Sequence, residues 1–214
     1  MKAIVIGATG LIGKELVKQL LARDDFDKVV TLVRKSSGIA HKNLQEIVIN
    51  FDDPSSYSKY LTGDVLFCAL GTTIKKAGSQ EAFRKIDFQF VVDFASVAAK
   101  NGIKRFSVVS SLGSKPDTSN FYLRTKGEME KAISTLNFES VYIFRPSLLL
   151  GERKETRTGE KIAEFLFKII RFVFVGKLKR YKPVQGVAVA KAMIDHSISV
   201  KQGVNIVESE MIGE

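Results

Sequence analysis

Short, nearly continuous runs of β-branched and aliphatic residues recur along the chain at 3–6, 29–33, 47–49, 65–70, 106–109 and 141–144. Runs of this length that do not alternate with polar residues predict strands buried on both faces. Between most of them the apolar positions fall near helical spacing, as Leu11, Ile12, Leu16, Leu20 and Leu21 do in LIGKELVKQLLA. SQEAFRKIDFQFVVDFASVAAKNG reads as one long helix, opened by Ser79 and stopped at Asn101-Gly102. SNFYLRTKGEMEKAISTLN reads as another, opened by Ser119 or Asn120. Strands alternating with helices predict an α/β fold, a doubly wound parallel sheet with right-handed crossovers. The pattern changes near residue 150. GEKIAEFLFKIIRFVFVG then reads as an apolar helix, PVQGVAVAKAMIDHSI as a shorter one and GVNIVES as a last strand. The expectation is a single domain over 1–214, with 151–214 forming a small cap on the substrate side.

Gly7, Gly10 and Gly13 sit between the first apolar run and the first helix. Glycine beside a strand loses much conformational freedom on folding, so this placement needs a backbone reason. A strand, a glycine turn and a helix start make an anion site, because free N–H groups and the helix dipole both favour a phosphate. In such a turn Gly7 permits the tight bend, Gly10 the approach of a pyrophosphate, and Gly13 close packing of helix on sheet. The spacing is G-x-x-G-x-x-G rather than the usual G-x-G-x-x-G, yet its position predicts a dinucleotide site. An NAD site wants an acid after the second strand, to accept from the ribose 2′-hydroxyl. Here VVTLV is followed by Arg34 and Lys35, and a guanidinium fork suits a 2′-phosphate. The expected cofactor is NADP, with NADPH preferred over NADH.

Composition narrows the alternatives. The chain of 214 residues is 45% hydrophobic and 26% charged, ordinary for a soluble globular protein. Met1 leads straight into an apolar run, without the charged segment and cleavage pattern of a signal peptide. The single cysteine, Cys68, cannot form an internal disulfide, which points to a reducing, cytoplasmic location. His41 and His196 stand apart from any carboxylate or cysteine cluster, so no metal site is expected. The net charge of +10 is compatible with nucleic acid, an anionic membrane or an anionic ligand. No basic stripe interleaved with aromatics occurs, which argues against nucleic acid. The segment 164–182 is apolar and ends in the basic stretch GKLKRYK. Its apolar residues need cover from the domain, a second subunit or lipid. Cover within the protein is the preferred expectation; an oligomer and peripheral membrane contact are the alternatives.

GATGLIG at 7–13 together with LVRK at 32–35 resembles the atypical short-chain dehydrogenase/reductase superfamily, in its extended-type NAD(P)-binding Rossmann branch. CALGTTIKKAG (68–78), SSLGSKPDTSNFYLRTKGEMEK (110–131) and FRPSLLLGERKETRTGE (144–160) are similar to the HIV-Tat-interacting protein (TIP30/CC3) family and its bacterial relatives. The resemblance spans nearly the whole chain. It implies that the glycine turn, Thr9, Leu11 and Ile12 hold the pyrophosphate, and Arg34 and Lys35 the 2′-phosphate. It implies that Asn50 and Phe51 stand by the adenine, where relatives usually carry an Asp. Ala69, Leu70, Gly71 and Thr72 would flank the ribose, and Pro146 and Ser147 the nicotinamide. Asp87 stands where many members have a structural Asn.

YLRTK puts Tyr122 and Lys126 on one helix face. A phenol titrates near pH 10 and is a poor base at neutral pH, but a nearby ammonium stabilises the phenolate. Such a pair can exchange a proton with a carbonyl or alcohol oxygen while hydride moves to or from a nicotinamide. A hydroxyl from Ser110 or Ser111, at the end of the fifth strand, would orient the same oxygen, with Ser110 the first choice. The expected function is an NADP(H)-binding oxidoreductase of unnamed small-molecule substrate, using Ser110, Tyr122 and Lys126. The rival is an NADP(H)-binding, redox-sensing regulator or interaction protein without turnover.

Overall fold

In the computed structural model, which describes residues 1–150, 176–199 and 201–213, strands and helices alternate as the periodicity predicts. In chain order they are β1 (Lys2–Ile6), α1 (Leu11–Leu21), β2 (Lys28–Val33), β3 (Leu44–Val48), β4 (Val65–Cys68), α2 (Ile74–Ala77), α3 (Gln80–Arg84), α4 (Phe90–Lys100) and β5 (Arg105–Val109). There follow α5 (Phe121–Ile133), β6 (Ser140–Arg145), the short β7 (Leu149–Leu150) and β8 (Val184–Gln185), α6 (Gly186–Ile198) and β9 (Gly203–Glu208). The main sheet is seven-stranded, in the order β3-β2-β1-β4-β5-β6-β9, and every pairing is parallel. This is the doubly wound Rossmann arrangement. Its strand order reverses between β1 and β4, the switch point at which such sheets bind ligands.

The strands read as continuous apolar runs because each feeds two cores. Ala3 and Val5 of β1 pack with Leu16, Val17 and Leu20 of α1 and Val189, Met193 and Ile194 of α6. Ile4 and Ile6 face the opposite layer, with Phe90, Val91 and Phe94 of α4 and Met129 and Ile133 of α5. Each such aliphatic or aromatic side chain stabilises the fold by roughly 1.5–3 kcal/mol relative to exposure.

Two expectations need correction. The long helix from Ser79 to Asn101 exists and is capped as expected, with Ser79 Oγ accepting from the Ala82 N–H at 3.0 Å. It is interrupted, however, by a π-turn over Lys85–Gln89. The expected cap over 151–214 does not extend to its C-terminal part. β9 pairs with β6 in the main sheet, and α6 packs on α1, so 186–213 complete the Rossmann layers. The apolar helix expected near 162–175 lies outside the described residues. Of the basic stretch, Gly176–Tyr181 forms a 3₁₀ turn with Lys179 and Arg180 exposed. Among the described residues no helix is long and apolar enough to cross a membrane.

The first turn of α1 depends on the absence of a side chain. A Cβ on Gly13 would lie 2.0 Å from the Gly7 carbonyl oxygen, against backbone that has nowhere to move. Gly13→Ala is expected to destabilise the fold by about 3 kcal/mol, the upper part of the range for overpacking. Gly38→Ala, at φ +74° with nothing within 4 Å, should cost only about 1 kcal/mol from its left-handed backbone. Urea unfolding of the two variants checks the contrast.

Candidate functional site

Gly7 ends β1 at φ +83°, and a Cβ there would fall 2.6 Å from the Ala69 carbonyl carbon at the end of β4. Only glycine lets the two strand ends meet this way while the chain turns into α1. Gly10 is the N-cap of α1, and no side chain caps the helix. The Gly10 carbonyl accepts from the Lys14 N–H at 3.0 Å. The N–H groups of the first turn before it, on Leu11, Ile12 and Gly13, have no intrahelical acceptors. No acid lies in that turn, and Thr9 and Gly10 are exposed. This is a built cradle for a pyrophosphate, and the residues fit a dinucleotide. The side chains of Leu11 and Ile12 point inward; Leu11 packs on Gly186 and Ile12 is buried in the core. What these two positions offer a ligand is backbone.

At the adenosine end, Arg34 and Lys35 follow β2 and are exposed. The Arg34 guanidinium lies 5.7 Å from the centroid of the Phe51 ring. Phe51 itself is buried edge-on between Phe90 and Phe94, at 5.5 and 5.0 Å, so it supports Arg34 from below. Asn50 is exposed, but its side-chain oxygen accepts from the Asp52 N–H at 3.0 Å, leaving its NH₂ group for a ligand. On the neighbouring strand β3, the Glu46 carboxylate accepts from the Ser37 N–H at 2.8 Å and from the Ser36 and Ser37 hydroxyls.

At the other end, α5 carries Tyr122 and Lys126 to the mouth of the sheet, with Asn120 capping the helix through the Leu123 N–H at 3.1 Å. Lys126 is buried, and its Nζ lies 2.8 Å from Asp87 Oδ1 and 3.5 Å from the Val109 carbonyl. Asp87 Oδ2 accepts the Thr72 N–H at 2.9 Å. A Cβ on Gly71 would come within 3.5 Å of Asp87 and 4.0 Å of Lys126 Nζ, so the loop of Ala69, Leu70, Gly71 and Thr72 passes directly over the pair. Burial works to lower the Lys126 pKa, but the Asp87 carboxylate, and after it Tyr122, more than offset that and hold the ammonium above its ordinary value. Tyr122 is half-buried, its ring 5.4 Å from that of Phe83. Cys68, behind this site on β4, is fully buried and pushed up to about 11 by burial, which leaves it a neutral thiol.

The two serines part company. Ser110 is buried, donates to Glu130 Oε1 at 2.5 Å and lies 3.2 Å from Ser114 Oγ. Its hydroxyl therefore faces into the protein rather than toward a substrate oxygen, while Ser111 is half-buried at the strand end. The hydroxyl of Ser147, expected beside the nicotinamide after Pro146, bonds the Lys182 carbonyl at 2.5 Å. Glu130 belongs to a cluster that sequence reasoning missed. Arg145 at the end of β6 grips it at 3.0 and 2.6 Å and reaches Glu208 on β9 at 3.0 Å. The hydrogen bonds Arg145 donates to Glu130 first, and the charge of that carboxylate, raise the guanidinium pKa above its ordinary value despite partial burial. A signal for Glu130 was present, since it continues the Tyr122, Lys126 stripe at the next i, i+4 step. Nothing local marked Arg145 as its partner.

With this geometry in place, comparison with known proteins is decisive. Residues 7–165 match the family model described as NAD(P)H-binding. The chain belongs to this family. Among its relatives, protein HTATIP2 of Rattus norvegicus is 34% identical over 93% of this chain and 82% of its own length. The mitochondrial protein FMP52 of Candida albicans is 34% identical over 96% and 90%, and that of Eremothecium gossypii 35% over 99% and 96%. This NAD(P)H-binding chain is thus an atypical short-chain dehydrogenase/reductase resembling the HIV-Tat-interacting protein. The Bordetella bronchiseptica enzyme WbmH in complex with NAD⁺ superposes with a TM-score of 0.71, at 18% identity, over 97% of this chain and 75% of its own. ChuY of Escherichia coli O157:H7, an anaerobillin reductase, does so at 0.67 and 18% identity, over 98% and 97%. These likenesses concern the fold. The mitochondrial names of the fungal relatives overturn the expectation of a cytoplasmic protein. A lone cysteine excludes an internal disulfide, but it does not distinguish one reducing compartment from another.

Removing Glu130 would leave Ser110 without its acceptor and Arg145 with one carboxylate in place of two. Glu130→Ala should therefore destabilise by about 3 kcal/mol, as breaking a buried pair does, and Glu130→Gln by less because an oxygen remains. Denaturant unfolding measures both. A Glu130→Ala variant within about 0.5 kcal/mol of the parent, the range of ordinary surface changes, would remove the cluster from the account.

Proposed function

We propose that this protein is an NADP(H)-dependent oxidoreductase of the short-chain dehydrogenase/reductase type, interconverting a carbonyl and an alcohol on a small-molecule substrate. The observation that carries the reading is the Tyr122–Lys126 pair, whose ammonium lies under the loop after β4 that packs against the glycine turn. A nicotinamide bound along the switch point would supply or accept the hydride. Tyr122 then gives its proton to the carbonyl oxygen, or takes one from the alcohol, and Lys126 stabilises the charge that the phenol acquires. With the Ser110 hydroxyl held by Glu130, orienting the substrate oxygen falls to Ser111. Ser110 then acts at one remove, by fixing the strand end.

The preference for NADP(H) rests on Arg34 and Lys35, and on Glu46 being bound to the loop that follows them. Glu46 is thereby engaged rather than offered to a ribose 2′-hydroxyl, and Arg34 stands over Phe51 for a 2′-phosphate. A regulator without turnover is the second reading, favoured by the hydroxyls of Ser110 and Ser147 being already engaged, with Glu130 and with the Lys182 carbonyl.

Calorimetric titration should find NADPH bound more tightly than NADH, with Arg34→Ala removing most of the difference. Equal affinities in the parent would end the NADP(H) assignment. Tyr122→Phe should keep NADPH binding and lose turnover by roughly 10²–10⁴-fold on whichever aldehyde or ketone a screen identifies. NADPH binding without any turnover in the parent would favour the regulator.

A further inference from the structure

β9 ends the main sheet on one side. It pairs with β6, and among the described residues no further strand pairs with it. The Gly203 N–H goes to the Glu139 carbonyl, so the backbone groups of Gly203, Asn205 and Val207 turn toward β6. Those of Val204 and Ile206 turn to the open edge, where they have no backbone partner among the described residues. Natural sheets protect such an edge with charged residues, proline or bulges. The opposite edge strand, β3, carries Glu46 in its middle. In β9 the stretch GVNIV, 203–207, carries neither charge nor proline.

The side chains leave the same edge open. Val204 and Ile206 stand opposite Val141 and Ile143 of β6, which are buried in the core under α4 and α5. Residues paired across neighbouring strands point to one face, so all four share that side of the sheet. Val204 and Ile206 are nevertheless 46% and 45% exposed. Charge is divided between the ends of the strand. The exposed Lys201 precedes it, and Glu208 and Glu210 close it.

We propose that β9 is the contact surface of a homodimer, in which the β9 strands of two copies pair antiparallel about a two-fold axis beside Asn205. In this register Val204 faces the second copy's Ile206, and each such pair exchanges both of its backbone hydrogen bonds. Centring the axis on Val204 would set Ile206 against Gln202, and centring it on Ile206 would set Val204 against Glu208. Only the axis at Asn205 puts both apolar side chains against apolar ones. Antiparallel order also brings Lys201 of one copy to the acidic end of the other, whereas parallel order would bring like charges together. An edge complementary to itself in hydrogen bonding, apolar contact and charge fits a second copy of this chain. The inference stands apart from the oxidoreductase reading, because the active-site mouth takes no part in it.

Light scattering tests the full chain directly. At about 100 μM, where mass action favours even a modest dimer, the particle should have twice the 23.7 kDa chain mass. Ile206→Lys sets an ammonium in each facing pair and should give the single-chain mass, with the parent's far-ultraviolet dichroism. Val204→Lys takes its place if that variant does not fold. Asn205→Cys reads the register. At the axis the two Cα atoms of this non-hydrogen-bonded pair would lie about 4.5 Å apart, within disulfide reach. Mild oxidation should therefore link two chains of the variant, whereas Cys68, buried as a neutral thiol, leaves the parent unlinked. A monomeric parent, a dimer that survives the lysine substitution, or an Asn205→Cys variant that does not link would each overturn the proposal.

Discussion

The candidate site depends on how closely three pieces of backbone approach one another at the end of β1. Gly7 turns at positive φ against the Ala69 carbonyl, and Gly13 lays the first turn of α1 on the Gly7 carbonyl. No side chain fits at either place. Because β1 and β4 are neighbours inside the order β3-β2-β1-β4-β5-β6-β9, this contact fixes α1 and the β4 loop in one frame. The same contact leaves the uncapped N-terminus of α1 open at the switch point, which is what a pyrophosphate needs. Close packing and anion recognition are therefore one arrangement.

A second frame is built from charge rather than backbone. Along one face of α5 run Tyr122, Lys126 and Glu130, and each of the two ions meets its partner from another element. Lys126 meets Asp87 beneath the β4 loop. Glu130 meets Arg145, and through it Glu208, across the ends of β6 and β9. Buried ions are tolerated only when paired and hydrogen-bonded, so these contacts fix the rotation of α5 closely. The rotation of α5 decides where Tyr122 points. The polar cluster behind Ser110 and the ion pair beneath Gly71 thus serve one end, a phenol held at a set place over the strand ends.

Membership of the NAD(P)H-binding family accounts for the first frame, and the HTATIP2 and FMP52 relatives carry the likeness across most of the chain. An amide in place of Asp87 would leave the Lys126 ammonium without its countercharge. The exposed cations at Arg34 and Lys35 and the enclosed one at Lys126 also differ in kind. The first two are free to meet a ligand's phosphate, whereas the third is engaged before any ligand arrives.

The alternation of strand and helix, the glycine turn, the basic end of β2 and the spacing of Tyr122 and Lys126 could all be read from the sequence. Each is a local matter, a period of burial, a backbone angle or one turn of helix, and neighbouring residues suffice to specify it. Strand limits moved by a few residues, as with β3, which runs from Leu44 to Val48. The π-turn escaped because its apolar spacing is close to that of an ordinary helix. Other features were decided only when distant segments met. β9 looked like part of a cap because nothing in GVNIVES names its neighbour; pairing with β6 placed it in the main sheet. Ser110 and Ser111 are equivalent in the sequence, and only the strand's pleat, with Glu130 and Arg145 behind it, turns the first inward and leaves the second at the mouth. Asp87 had no visible partner until packing buried it against Lys126. Charges far apart along the chain carry no mark of each other, and it is the loss of water around both that makes them a pair.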